Sequence, residues 1–115
     1  MTIQRFDANQ RLAEMVAYNG VLYLAGQVPE NTAADAYQQT KEVLTLIDAL
    51  LAKANSDKSR ILNAQIFLAD MQDYTQMNQA WDEWVDSANP PARATVEAKL
   101  ADPNWKVEIV ITAAA

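Results

Sequence analysis

From Pro90 to Ala114 the chain carries two runs of alternating character, Pro90 to Leu100 and Trp105 to Ala114, separated by a short polar break at Ala101 to Asn104. A period of two sends successive side chains to opposite sides of an extended backbone, so both runs read as strands and the break as the turn that pairs them. Arg93 enters the first run directly behind Pro90-Pro91, whose rings restrict the backbone leading to it. Glu108 lies inside the second run among Val107, Ile109, Val110 and Ile111. A fixed cation on one strand and a carboxylate in an apolar one are what a small anionic substrate needs. If the two strands pair about a turn near Pro103, Arg93 and Glu108 are offset by five residues, roughly 17 Å at about 3.4 Å per residue. Two such side chains cannot hold one small ligand within one chain. The pattern therefore predicts a cleft that joins Arg93 of one copy to Glu108 of a neighbour.

Upstream, Asn19-Gly20 is the strongest turn signal, because both residue types accept the positive φ of a tight hairpin. Residues 12 to 25 read as that hairpin, closed by Gly26-Gln27-Val28-Pro29, and residues 3 to 7 as a short edge strand. Thr32 and Asp35 have the spacing of a capping box, with Thr32 as the N-cap. A helix follows to about Asn55, with Ala36, Thr40, Val43, Leu44, Ile47, Leu50, Leu51 and Ala54 forming one apolar stripe. Ile61 to Leu68 reads as a strand with Leu62, Ala64, Ile66 and Leu68 on one face. A second helix, capped by Asp70 or Asp73, runs to about Ser87 with Tyr74, Met77, Trp81, Trp84, Val85 and Ala88 as its stripe; Asn78 interrupts it. Asn89-Pro90-Pro91 stops that helix.

The order β-β-α-β-α-β-β, with an extra edge strand at the start, predicts an α/β (α+β) domain spanning residues 1–115. Two helices cover one face of a mixed, mostly antiparallel sheet. The other face, with Tyr23, Phe67 and Val110 beside Thr95, Glu97 and Lys99, calls for a partner subunit with cyclic symmetry.

Composition narrows the chemistry. The chain has no cysteine and no histidine, which removes the thiol nucleophile, the commonest metal ligand and the commonest general base. Fifteen acidic residues against nine basic ones give a net charge of −6, which opposes a nucleic-acid partner. No apolar run reaches the roughly 20 residues of a membrane span, and no signal peptide is visible, so a cytoplasmic location is expected.

Four landmarks then align: Gly26-Gln27-Val28-Pro29 after a strand, Asn78 in the second helix, Pro91-Ala92-Arg93-Ala94-Thr95-Val96-Glu97, and Lys106-Val107-Glu108-Ile109. Together they resemble the RidA (YjgF) family, in wording most like its YoaB-like branch. The resemblance implies a chorismate-mutase-like fold in a homotrimer with clefts between subunits, a 2-imino or 2-keto acid ligand, and no cofactor or metal. It implies hydrolysis of reactive 2-imino acids, such as that derived from 2-aminoacrylate, to the 2-keto acid and ammonia. Arg93 matches the carboxylate-binding arginine, Glu108 the glutamate that positions or activates water, Asn78 a cleft-wall asparagine, and Gly26 the glycine of the strand-end loop. Active relatives commonly carry a tyrosine at Leu12, a serine or threonine at Ala25 and a cysteine at Thr95. Those departures bear on substrate and turnover, and leave the fold and the clamp untouched. A trimeric 2-keto acid binding or sensing protein without catalysis is the alternative. Thr95, on the same strand face as Arg93, offers the ligand a hydroxyl in either case.

Overall fold

A computed structural model describes residues 2–115. The chain forms, in order, β1 (Gln4–Phe6), β2 (Met15–Tyr18), β3 (Val21–Leu24), α1 (Ala36–Lys53), β4 (Ile61–Leu68), α2 (Tyr74–Trp84), β5 (Ala92–Glu97) and β6 (Val107–Ala114). The strands make one six-stranded sheet in the order β1-β2-β3-β6-β4-β5. All neighbours are antiparallel except β4 and β5, which run parallel. The expected architecture of two helices on a mixed sheet, with the extra edge strand, is therefore the observed one.

The pairing of the last two strands is different from the expectation. β5 and β6 are not neighbours: β4 lies between them, with Ala64 aligned to Arg93 on one side and to Ile111 on the other. Alternation alone marks a strand without naming its partner. The loop from Ala98 to Lys106 carries the chain across the end of β4, where Ala98 N–H donates to Leu68 O and Ala69 N–H to Lys106 O.

The β2–β3 turn is as predicted. Asn19 and Gly20 both take positive φ, 54° and 78°, as a tight hairpin turn requires. Helix α1 starts later than expected, with Asp35 rather than Thr32 as its cap; the Asp35 carboxylate accepts Gln38 N–H at 2.9 Å. The preceding residues form a turn of their own. Glu42 reaches back from the helix to accept the N–H groups of Glu30 and Asn31, and Asn31 accepts Ala33 N–H. At the other end Asn55 adopts a left-handed φ of 57°. Helix α2 stops at Trp84, not near Ser87, because Val85 is extended and Asp86 gathers Ala88 N–H and the Asn89 side chain into a separate turn.

The core lies between the helices and one sheet face. Met15, Leu22, Leu24, Ala64, Ile66, Leu68, Val107, Ile109 and Ile111 face Val43, Leu44, Ile47, Leu51, Met77 and Trp81. Leu62 is not among them. A register shift between Ile61 and Asn63 turns Leu62 outward, 52% exposed, and Ile61 takes the inner place. Arg93, Thr95 and Glu97 align with the inward-facing Ala64, Ile66 and Leu68, so they lie on the helix face of the edge strand β5 rather than on the uncovered face. The uncovered face instead carries Tyr23, Phe67, Glu108 and Val110, with Tyr23 51% exposed.

Gln39 breaks the apolar character of α1 and is fully buried. Its amide donates to Ala34 O and Asn104 O and accepts Lys106 N–H at 2.8 Å, clipping the loop before β6 to the helix. Replacing it by leucine leaves those backbone groups without partners inside the protein. We expect Gln39→Leu to destabilise the fold by about 2–3 kcal/mol, read as a lower urea midpoint with unchanged slope.

Candidate functional site

The predicted site residues fall into two groups, one on each face of the sheet. The first centres on Arg93. Helix α2 turns Tyr74, Asn78 and Trp81, at the i, i+4 and i+7 positions of one stripe, toward the guanidinium. Nη1 of Arg93 donates to Asn78 Oδ1 at 2.8 Å, which settles where the asparagine inside the apolar stripe finds its hydrogen bond. The guanidinium carbon lies 5.3 Å from the centre of the Trp81 ring, within cation–π range. Nη2 approaches the Tyr74 hydroxyl at 3.5 Å. No carboxylate among the described residues forms an ion pair with Arg93; Lys53 and Asp7 make the ion pair that is present. Glu97, two steps further along the same face, accepts Met71 N–H instead. Asp86 is engaged in its own turn. The arginine is thus half-buried and held by neutral groups.

Thr95 lies two residues on, facing the same way. Its hydroxyl is buried and has no hydrogen-bond partner. A buried polar group without a partner is destabilising, and this oxygen has almost no accessible surface in the single chain.

The second group centres on Glu108, on the uncovered face opposite Phe67. Tyr23 aligns with Thr112 and Gln27 with Ile109, so four residue steps on one strand span three on the other. The extra residue is a bulge, and Gly26 lies within it. A Cβ built on Gly26 would overlap the Glu108 carboxylate, with its carbon only 2.9 Å away. Glycine allows this close approach and is not there for a special φ; a Cβ would make the flexible Glu108 carboxylate swing aside. Buried Gln27 fixes the bulge, donating to Glu14 Oε2 and Ala25 O at 3.0 Å each. Glu108 also lines a cavity of about 230 Å³ with Phe67, Ala98, Lys99, Leu100 and Ala101. A larger hollow of about 750 Å³ shares that loop and is lined also by Glu97 and Trp105, but by neither Arg93 nor Glu108.

Within one chain the two groups do not meet. Arg93 aligns through Ala64 with Ile111, three residues from Glu108 and two strands away. Strand spacing and rise separate their Cα atoms by about 14 Å, and their side chains leave opposite faces. The premise of a β5–β6 hairpin was wrong, yet the separation it suggested exists for another reason. Leu12 lies on the turn into β2, where its N–H donates to Asn9 Oδ1, and is exposed. Ala25 N–H donates to Glu14 O at the end of β3. Neither brings a polar side chain to either group. Tyr74 and Trp81, read from sequence as packing residues, are the site neighbours that the reading missed. Their signal was their spacing around Asn78.

The tight fit of Gly26 against Glu108 gives a double-mutant prediction. Gly26→Ala should cost the wild-type background no more than about 0.5 kcal/mol, as the Glu108 carboxylate swings aside, and nothing in a Glu108→Ala background, as measured by denaturant unfolding of all four proteins.

Comparison with known proteins finds relatives that match nearly the whole chain. The family model described as "Endoribonuclease L-PSP" matches residues 2–115. A RutC family protein of Haemophilus influenzae is 68% identical over 114 residues, covering 98% of each chain. The RutC family protein YoaB of Escherichia coli is 53% identical, covering 99% of each. A crystal structure described as a member of the YjgF protein family, from Neisseria meningitidis, superposes with a TM-score of 0.96 at 50% identity, covering 99% of this chain and 95% of that one. With the whole chain matched at these identities, and two helices on a six-stranded mixed sheet in common with that structure, the protein belongs to the YjgF/RutC family, which the family model describes as endoribonuclease L-PSP.

Proposed function

We propose that the protein binds small 2-keto and 2-imino acids through Arg93 and hydrolyses the imines to the 2-keto acid and ammonia, in clefts between the subunits of a homotrimer. The observation that carries this reading is Arg93 itself: a guanidinium fixed by Asn78 and Trp81 with no carboxylate partner among the described residues. Membership of the family supports a Rid-type function in general, and the site chemistry supports the finer statement.

A 2-imino acid presents a planar carboxylate next to a C=N bond. The arginine fork matches that carboxylate with parallel charge-assisted hydrogen bonds. Thr95 lies two residues along the same strand face from Arg93. Glu108 holds a water and accepts its proton as the oxygen attacks the imine carbon. The C–N double bond becomes single, giving a tetrahedral amino alcohol. Glu108 returns its proton to the nitrogen, ammonia leaves, and the regenerated carboxylate takes the hydroxyl proton as the carbonyl forms. A protonated imine is already electrophilic, so residues of this chain suffice for each step.

Because Arg93 and Glu108 leave opposite faces of the sheet, the complete site needs Arg93 from one copy and Glu108 from another. The uncovered face with Tyr23, Phe67 and Val110 is the surface such an assembly buries. The alternative of a 2-keto acid binding protein without turnover is favoured by Leu12 and Ala25, which contribute no hydroxyl. A role on RNA, as the family model's description would suggest, is opposed by the net charge of −6.

Generating 2-aminoacrylate in situ and following pyruvate formation tests the proposal. Arg93→Ala and Glu108→Gln should each reduce the acceleration by about 10²-fold or more, in the range of a lost catalytic acid or base. Mixed trimers reassembled from Arg93→Ala and Glu108→Ala chains should regain about a quarter of the wild-type rate, the share of clefts that draw both intact residues from different copies. No recovery in the mixture would refute a shared cleft. An unaccelerated reaction in the wild type, with pyruvate still bound through Arg93, would establish the binding protein instead.

A further inference from the structure

Tyr74 has no part in the chemistry above, and packing does not explain it: the residue is 42% exposed at the first turn of α2. We propose that its phenol is the second anchor for the ligand carboxylate, donating a hydrogen bond to an oxygen that Arg93 also holds. This rests on the reading of Arg93 as a carboxylate clamp.

The geometry around the guanidinium is graded. Trp81 is buried beneath it, Asn78 is half-buried beside it, and Tyr74 stands at its solvent side. The Asn78 contact, at 2.8 Å, is a full hydrogen bond, whereas the 3.5 Å from Nη2 to the Tyr74 hydroxyl lies at the outer limit of one. A guanidinium has donors only, so toward Arg93 the phenol can act only as an acceptor. Its own hydrogen is left over, since the contact with Arg93 is the hydroxyl's one hydrogen bond among the described residues. The group that fits beside both donors is an anionic oxygen. An oxygen at about 2.8 Å from each of two donors bridges a 3.5 Å gap without strain, and both bonds are then charge-assisted.

The arrangement selects for a carboxylate at that end of the ligand. A carboxylate oxygen accepts from Nη2 and the phenol together while its partner oxygen accepts from another guanidinium N–H. Tyr74 would thus provide, from α2, a polar contact on the ligand where Leu12 and Ala25 provide none.

Calorimetric titration with pyruvate, using the wild type, Tyr74→Phe, Tyr74→Leu and Arg93→Ala, tests this. Tyr74→Phe keeps the ring and removes the hydroxyl. It should weaken pyruvate binding about tenfold with an unchanged thermal midpoint, because the lost hydroxyl is exposed. Tyr74→Leu should lose the same factor, and Arg93→Ala should lose binding altogether. Wild-type affinity in Tyr74→Phe, with binding abolished in Arg93→Ala, overturns the role of Tyr74 and leaves the clamp intact. A loss confined to Tyr74→Leu also overturns it, because the ring and not the hydroxyl would then matter. Pyruvate binding that survives Arg93→Ala, or is absent from the wild type, overturns the clamp reading and this inference with it.

Discussion

Strand β4 is hydrogen-bonded on both sides, parallel to β5 and antiparallel to β6, and the faces on which Arg93 and Glu108 lie follow from that. Its inward residues Ala64, Ile66 and Leu68 are fully buried under the helices, so the pleat of the neighbouring strands is fixed by the same core. A one-residue slip would turn each of these side chains to the uncovered face. Arg93 is locked to the helix face through Ala64, and Glu108 to the opposite face through Phe67. The separation of the two groups is therefore a property of the hydrophobic register and not of loose side chains.

Two polar devices finish the work of the core near the site. Gln39 ties the chain just before β6 to α1, two residues ahead of Glu108. Gln27 ties the bulge after β3 to Glu14 and Ala25, which holds Gly26 against the Glu108 carboxylate. Both amides are buried, and both bond to backbone as well as filling space. Buried amides with satisfied hydrogen bonds restrict the backbone to one arrangement more narrowly than apolar contacts do. The carboxylate stands where two such constraints converge.

Local features were legible in the sequence and nonlocal ones were not. The Asn19-Gly20 turn, the Ile61–Leu68 strand and the α1 stripe follow from backbone preference and periodicity within a few residues. The β4–β5 parallel pair does not, because alternation in Ala92–Glu97 is equally compatible with β6 as a neighbour. Leu62 misled for a related reason: a bulge breaks the period without changing composition. Arg93, Glu108, Asn78 and Gly26 were singled out by their motifs, and the structure shows which of them touch. It could not be read from sequence that Asn78 and Gly26 serve different partners on different faces. Nor was it visible that Tyr74 and Trp81 share Asn78's arginine, since aromatic residues at helical spacing read first as core.

The neutrality of the partners around Arg93 has its own consequence. A carboxylate at hydrogen-bond distance would orient the fork equally well, but it would also cancel the charge that an anionic ligand needs and compete for the same donors. Asn78 fixes one nitrogen with a dipole, and Trp81 supports the plane through its ring face. Neither removes the unit charge. Both also restrict the side-chain rotamers before a ligand arrives, so less entropy is lost on binding. In a chain whose net charge is −6, Arg93 is a fixed cation whose charge no carboxylate among the described residues offsets at close range. Its field falls off within about a Debye length of 8 Å at physiological salt, so it would attract an anion only over a short range.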